Sequence, residues 1–456
     1  MAELLRPMLL VLLVLMGLFT LCPNVGMCDT DPLDCGADDE ENLIGVAPVT
    51  DATVCFASDR EALLRFKAAI RRDPNRALAS WSETQPDCCS WNGVTCDGIT
   101  GRVVSLNLGG LSLKGRFSSS LGSLSSLQIL RLAENFFTGS LPASLGNLSN
   151  LTMLCLGSSG RFSGSIPESF GGLTSVQLLD VSSNSLSGSL PSSIGNMKSL
   201  KHLRIYGNKI RGAIPASFAR LSNLYNADLA NNRLSGRIPD SFNTAVGGGG
   251  LVSLLYLFLE NNRITGLPDD LSNLKRLQWV VLENNPIGRL RNVAGLLTAP
   301  QLVQLDLSNC RLSGSGLGPW LARGFPRADT LLLSDEVTPS ISLANNALTG
   351  AIPRKIGSLL PDYIQGLDLS NNRFSGKIPF SLANLTSLRF LELDRNKIKG
   401  PIPPTFSRLT SLVAFNVSYN HLSGKIPQVV PFTTFDVSSY QGNAGLCGTP
   451  LPACPT

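Results

Sequence analysis

A 24-residue unit recurs along most of this chain, and a self-repeat of that length restricts the fold more than any composition does. From Leu200 the sequence reads LKHLRIYGNKIRGAIPASFARLSN, and Leu224 begins again as LYNADLANNRLSGRIPDSF. The shared pattern is L-x-x-L-x-L-x-x-N-x-L-x-G-x-I-P-x-x-[LF]-x-x-L-x-x. Units begin at Val103, Leu127, Leu151, Val176, Leu200, Leu224, Leu254, Leu277, Leu302, Thr338, Ile364, Leu388 and Leu412, and a degenerate one is expected at Ala328–Val337.

Each feature of the unit has a physical reason. The x-x-L-x-L-x segment alternates with period 2, so it predicts a short strand with one face buried. The Asn (Asn135, Asn184, Asn208, Asn232, Asn262, Asn285, Asn346, Asn372, Asn396, Asn420) falls where the chain turns off that strand. Inside a stack its amide can bond backbone groups that the turn leaves unpaired. Cys310 takes this slot once. The Gly of L-x-G permits a turn that other residues resist. The I-P pair forces extended backbone, and positions such as Ile214, Phe218 and Leu221 close the core from the far side. One unit cannot bury its apolar face alone. Stacked units can, which predicts an α/β solenoid with a parallel sheet on its concave side.

Departures from the period predict loops. The unit at Leu224 runs 30 residues and contains Gly247-Gly248-Gly249-Gly250, expected as a flexible bulge. Register weakens around Gly314–Phe325, expected to be irregular.

A solenoid also needs capped ends. Ser58-Asp59-Arg60-Glu61 has the form of a capping box, ahead of a helix over Ala62–Arg72 that Asp73-Pro74 would end. Trp81, Cys88, Cys89, Trp91 and Cys96 lead into the first unit; Cys447 and Cys454 follow the last. The domain reading is therefore a secretory signal over 1–28, an acidic solvated arm over 29–54, an N-terminal cap over 55–102, repeats over 103–427 and a C-terminal cap over 428–456.

The signal rests on Arg6, the apolar run Met8–Leu21 and the small residues Gly26 and Cys28. No later segment approaches 18 uninterrupted apolar residues, so no membrane span is expected. Secretion favours disulfides. Two of the eleven cysteines, Cys22 and Cys28, would leave with the signal. The pairings expected are Cys55–Cys88, Cys89–Cys96 and Cys447–Cys454. Cys155 and Cys310 sit on distant repeat positions and are expected as free thiols, and Cys35 has no evident partner. With only two histidines, His202 and His421, no metal site, cofactor or catalytic set is expected, and the chain does not read as an enzyme. Removing Arg6 from the 38 bases and nine acids from the 33 leaves 37 against 24 from Ala52 onward, a net +13. Such a body could be drawn to an acidic wall polysaccharide such as pectin. Nucleic-acid binding is not expected of a secreted chain with dispersed bases.

The unit L-x-x-L-x-L-x-x-N-x-L-x-G-x-I-P resembles the plant class of extracellular leucine-rich repeats. The stretch Ser58–Asp97, with Ser80-Trp81, Cys88-Cys89-Ser90-Trp91 and Cys96, is similar to the N-terminal cap of that class. Tyr440–Leu451 is similar to the segment that closes such receptor ectodomains. The resemblance covers about Cys55–Cys454 and implies a right-handed superhelix. It also implies an extracellular or cell-wall setting, where a membrane partner could hold the protein at the plasma membrane. Its partners would be a peptide or protein ligand or a receptor-kinase ectodomain, in signalling or defence. Polygalacturonase-inhibiting proteins are soluble relatives, so inhibition of a wall-degrading hydrolase is the alternative.

Alternation places positions 2, 3, 5, 7 and 8 of each unit on the concave face. The ligand-binding group expected there is Lys201, His202, Arg204, Tyr206, Tyr225, Asp228, Tyr256, Phe258, Glu260, Trp279 and Glu283, with Asn226 and Gln278 beside it. Only 6% of the chain is aromatic, yet five aromatics fall on four successive strands of one face. Aromatic and Arg anchors concentrate binding energy, although aromatics on a sheet can also pack along their strands. A second, charged group is Arg389, Phe390, Glu392, Asp394 and Arg395. Glycosylation sequons lie at Asn147, Asn150, Asn384 and Asn416, and a glycan on Asn416 would block the C-terminal end of the face.

Overall fold

The computed structural model describes residue 35 and residues 54–244, 250–315, 317, 339–358 and 363–455. The signal, most of the acidic arm, most of the glycine run and most of the irregular segment lie outside the described residues.

The repeat pattern becomes a 14-stranded sheet. Its strands are β1 (Val94–Cys96), β2 (Val103–Asn107), β3 (Ile129–Arg131), β4 (Met153–Cys155), β5 (Leu178–Asp180), β6 (His202–Arg204), β7 (Asn226–Asp228), β8 (Tyr256–Phe258), β9 (Trp279–Val281), β10 (Gln304–Asp306), β11 (Ser340–Ser342), β12 (Gly366–Asp368), β13 (Phe390–Glu392) and β14 (Ala414–Asn416). β1 pairs antiparallel to β2; every later pairing is parallel, in chain order. Each of the thirteen clear units thus supplies one strand. β10 pairs directly with β11; the degenerate unit expected at Ala328–Val337 lies outside the described residues.

The core is a set of ladders, one residue per unit. Leu200, Leu203, Ile205, Ile210, Phe218 and Leu221 of one unit are all fully buried, as are Leu224, Ala227, Leu229 and Leu234 of the next. The Asn slot works as its chemistry suggests. Asn208 donates through Nδ2 to the carbonyls of Val181 and Ile205, each at 3.0 Å, and its Oδ1 accepts from the Leu186 amide at 2.9 Å. Asn232, Asn262, Asn285, Asn372, Asn396 and Asn420 repeat the arrangement. Asn443 extends it into the C-terminal cap, accepting from Leu422 N at 2.9 Å. Cys310 fills this slot with a thiol in place of an amide. Its Sγ donates to the Leu282 carbonyl at 3.1 Å, and the Ile287 amide that an Asn would have met turns to Asn285 O.

Short 3-10 turns such as Ser192–Asn196 and Ala216–Arg220 line the far side of the core. A second set of strands, unannounced by the sequence, runs along one flank in ladders such as Arg211–Gly212, Arg233–Arg237 and Arg263–Gly266. Gly212 enters this ladder with φ +82°, left-handed backbone that a side chain resists.

The N-terminal cap departs from its reading. Helix α1 spans Ala57–Ala68 and is preceded by Phe56, with no side-chain cap. Ser58 therefore lies inside the helix, and the expected capping box does not form. The Asp59 carboxylate is taken elsewhere: it accepts from Arg102 Nε at 2.8 Å and from Val103 N at 3.0 Å, tying the cap to β2. The helix also stops five residues before Asp73, because Ile70–Arg72 pairs antiparallel with Lys114–Arg116. Gly115 makes that approach possible, since a Cβ there would sit 2.4 Å from Ala69 O. Trp81 stacks on Trp91 with ring centroids 5.4 Å apart.

The structure joins Cys55 to Cys88, Cys89 to Cys96 and Cys447 to Cys454. It corrects the reading of Cys155, which is not a free thiol but is bonded to Cys35 across 120 residues. Cys310 is free and buried, and burial pushes its thiol up to about 12.

Candidate functional site

The parallel register stacks equivalent residues of neighbouring units. The inner-face row at position 3 runs His202, Asn226, Tyr256, Trp279, Gln304, and the row at position 5 runs Arg204, Asp228, Phe258, Val281, Asp306. Position 7 adds Tyr206, Glu260 and Glu283 just beyond the strands. Adjacent strands lie about 4.8 Å apart and residues i and i+2 about 6.6 Å, so these rows form one continuous surface.

On that surface the aromatics make one chain of contacts. Tyr225 meets Tyr256 edge-on at 5.4 Å, Tyr256 meets Trp279 at 6.0 Å, and Phe258 meets Trp279 at 5.9 Å. Arg276 lies over the Tyr225 ring at 6.0 Å. Tyr206, Tyr225, Tyr256, Phe258 and Trp279 are all half-buried, with part of each side chain in water. Lys201 is exposed and Arg204 half-buried. His202 departs from its reading: it is only 5% exposed, because the Tyr225 ring of the next unit packs on it at 5.6 Å. It supports the surface from behind.

The carboxylates divide by function. Asp180, Asp306 and Asp368 each accept the amide two residues on, Ser182, Ser308 and Ser370, at 2.8–2.9 Å, closing the turn off the strand. Asp228 does the same to Ala230 at 3.2 Å. Glu260 has no such duty, and its Oε2 lies out of water without a hydrogen-bond partner. Glu283 accepts from Asn284 Nδ2 at 3.1 Å. Burial pushes the carboxyl of Asp228 up to about 7, Glu260 to about 8 and Glu283 to about 7, with neighbouring acids adding to each shift.

The second group lies on β13 and the turn after it. Arg389 sits over the Phe390 ring at 5.7 Å, and Arg395 approaches Asp394 at 3.6 Å and covers Tyr419 at 5.1 Å. Burial raises Glu392 to about 8. Arg395–Asp394 is the ion pair of this group, and the neighbouring Asp368 and Asp394 add to the shift of Glu392. Of the sequon residues, Asn147, Asn150 and Asn384 are exposed, and Asn416 lies half-buried on β14.

The inner face is not open at its N-terminal end. Ile129, Met153, Cys155 and Leu178, all pointing inward, are at most 1% exposed, and Cys35 packs against them. The sequence held a signal for this. Three aliphatic residues in succession at position 3, with Cys155 beside them at position 5, make an apolar patch that requires a cover.

The leucine-rich repeat N-terminal domain family matches residues 56–97. Leucine-rich repeat families match 362–422 and six further segments between 126 and 322. The chain is a leucine-rich-repeat protein. Among curated relatives, Phytosulfokine receptor 1 of Arabidopsis thaliana is 43% identical over 106 residues, 23% of this chain and 10% of that protein. Receptor-like protein 31 of Arabidopsis thaliana is 41% identical over 109 residues, 22% of this chain and 13% of that one. The matched stretches thus span only about a tenth of those relatives. Among solved structures, this leucine-rich-repeat protein is similar to the plant peptide hormone receptor RGFR1 in complex with RGF2. The two share 28% identity over 75% of this chain and 62% of that chain, with a TM-score of 0.50. A Leptospira interrogans leucine-rich-repeat protein shares the fold at 23% identity, over 70% of this chain and 84% of that one, with a TM-score of 0.50. No helix among the described residues is long and apolar enough to cross a membrane.

Proposed function

We propose that this leucine-rich-repeat protein is an extracellular interaction module that holds a peptide or protein ligand on the middle of its concave face. The observation that carries this reading is the half-buried chain Tyr225–Tyr256–Trp279–Phe258 on three successive strands, with Arg276 over its first ring. Rings held by each other and by the sheet lose little entropy when a ligand covers them. The similarity to a receptor whose solved structure contains RGF2 supports the reading. The ligand could be a free peptide or the ectodomain of a receptor kinase, and no chemical step by this chain is needed.

The second reading, a wall-hydrolase inhibitor held to pectin, draws on the net +13 from Ala52 onward. The Cys35–Cys155 bond works against it. That bond fixes Cys35, within the acidic arm, to β4, and from Asp29 onward 37 bases face 32 acids, a net +5. Capture from plant wall extract, repeated with Trp279→Ala and Tyr225→Ala, tests the first reading. A ligand retained by the native chain and lost by both variants supports it; equal retention by all three removes it.

A further inference from the structure

We propose, resting on the concave-face reading above, that the ligand inserts a cationic side chain, arginine above lysine, between the carboxylates of Asp228, Glu260, Glu283 and Asp306, against the rings of Phe258 and Trp279. The parallel register defines the place. Phe258 and Val281 are paired neighbours on β8 and β9 and form an apolar floor. Asp228 flanks Phe258 on β7, and Asp306 flanks Val281 on β10. Glu260 and Glu283 close the side at position 7, and Tyr256 and Trp279 close the opposite side at position 3. Four carboxylates thus frame a floor with aromatic walls.

Among the described residues nothing neutralises this frame in full. Arg204, paired in register with Asp228, is the base among them whose charge lowers one of the four. Glu260, Glu283 and Asp306 form no ion pair among the described residues, and Glu260 Oε2 has no hydrogen-bond partner. Withdrawing several carboxylates from water next to one another is costly without a counter-charge. Burial, with neighbouring acids adding to it, holds the carboxyls of Glu260, Glu283 and Asp306 above their usual range, in keeping with that cost. A cation would relieve it, and the faces of Phe258 and Trp279 would attract the same cation through their ring electrons.

The spacing distinguishes among cations. Among the described residues, no three of these carboxylates bring their oxygens within 4.8 Å of one another; the one group that meets that limit is Cys55, Cys88 and Cys89, whose thiols are used in disulfides. A bare metal ion would need such convergence. A planar guanidinium can bond the neighbouring Glu260 and Glu283 and stack on a ring, while Asp228 and Asp306, about 14 Å apart across three strand spacings, act on it through space.

The test uses the full secreted chain and an immobilised positional library of nonapeptides. Arginine or lysine should be enriched at one position. In an individual binding peptide, exchanging that arginine for citrulline, which keeps the shape and removes the charge, should weaken binding by about tenfold or more. Against the double variant Glu260→Gln, Asp306→Asn, with its fold checked by circular dichroism, the same exchange should change affinity by less than about twofold. Peptides that are lost on Trp279→Ala yet carry no basic residue overturn the cation while leaving the concave site standing. Peptides unaffected by Trp279→Ala overturn both, and a library without any enrichment, or binding that follows calcium chloride instead of peptide charge, overturns the proposal.

Discussion

Replacing Asn232 by alanine tests the physical basis of the stack. Asn232 is buried at 8% exposure. Its Oδ1 accepts the Ile210 amide at 3.0 Å, the only acceptor that amide has. Its Nδ2 donates to the carbonyls of Ile205, Leu229 and Ala230 at 3.0–3.3 Å. Those three carbonyls each keep another donor: Asn208 Nδ2, Asn262 Nδ2 and Gly207 N. The loss therefore falls chiefly on the orphaned Ile210 N–H, worth about 1–3 kcal/mol when buried, plus about 1 kcal/mol for the weakened carbonyl contacts. The expected cost is about 2–4 kcal/mol. Asn231→Gly is the control. Asn231 is exposed with φ 52°, a conformation glycine adopts freely, so its cost should stay within about 0.5 kcal/mol. Urea unfolding gives both values, and native-state hydrogen exchange should show lost protection centred on the units at Leu200 and Leu224, because each unit touches only its neighbours. Equal costs for the two variants would refute the assigned role of the Asn ladder.

Three further outcomes follow from the structure. Trp279→Ala should abolish most ligand retention while moving the urea midpoint little, since the half-buried ring lies on the inner face and its strand neighbour Val280 carries the core contact; equal loss of fold and binding would make the ring structural. Stability should fall as pH rises from about 4 to 8. The folded-state carboxyls of Asp228, Glu260, Glu283 and Glu392 lie at about 7 to 8, so the folded chain holds more protons than the unfolded one across that window. Urea midpoints at pH 5 and pH 8 check this, and Glu260→Gln with Glu392→Gln should flatten the slope. A non-reducing peptide map should yield a Cys35–Cys155 peptide, and among the described cysteines only Cys310 should remain an unpaired thiol without reduction; a map with Cys155 free contradicts that bond.

Most of the solenoid was legible because its period repeats the same physical demand thirteen times: alternating apolar residues for the strand and an apolar residue on the far side, with Asn for the turn in ten of the units. Three features were not. The flank strands, such as Arg233–Arg237, carry no alternating apolar signal; they form only because the stack brings successive extended segments into register. The capping box at Ser58 failed because Asp59 is worth more as the acceptor for Arg102 and Val103 than as part of a local cap. The Cys35–Cys155 bond depends on a contact across 120 residues, which local pattern does not encode. The aromatic row of the candidate site was legible from alternation alone. That His202 would be covered by Tyr225 was not, because it depends on how one ring leans over the next strand.

Photo-crosslinking gives the most direct test of the concave-face account. A benzophenone amino acid placed at Phe258, on the inner sheet, or at Ala216, exposed on the far-side turn, would be irradiated in plant wall extract with the otherwise native chain. The account predicts a discrete adduct from position 258 and none from position 216. Adducts from position 216 alone, or the same adducts from both, would contradict it.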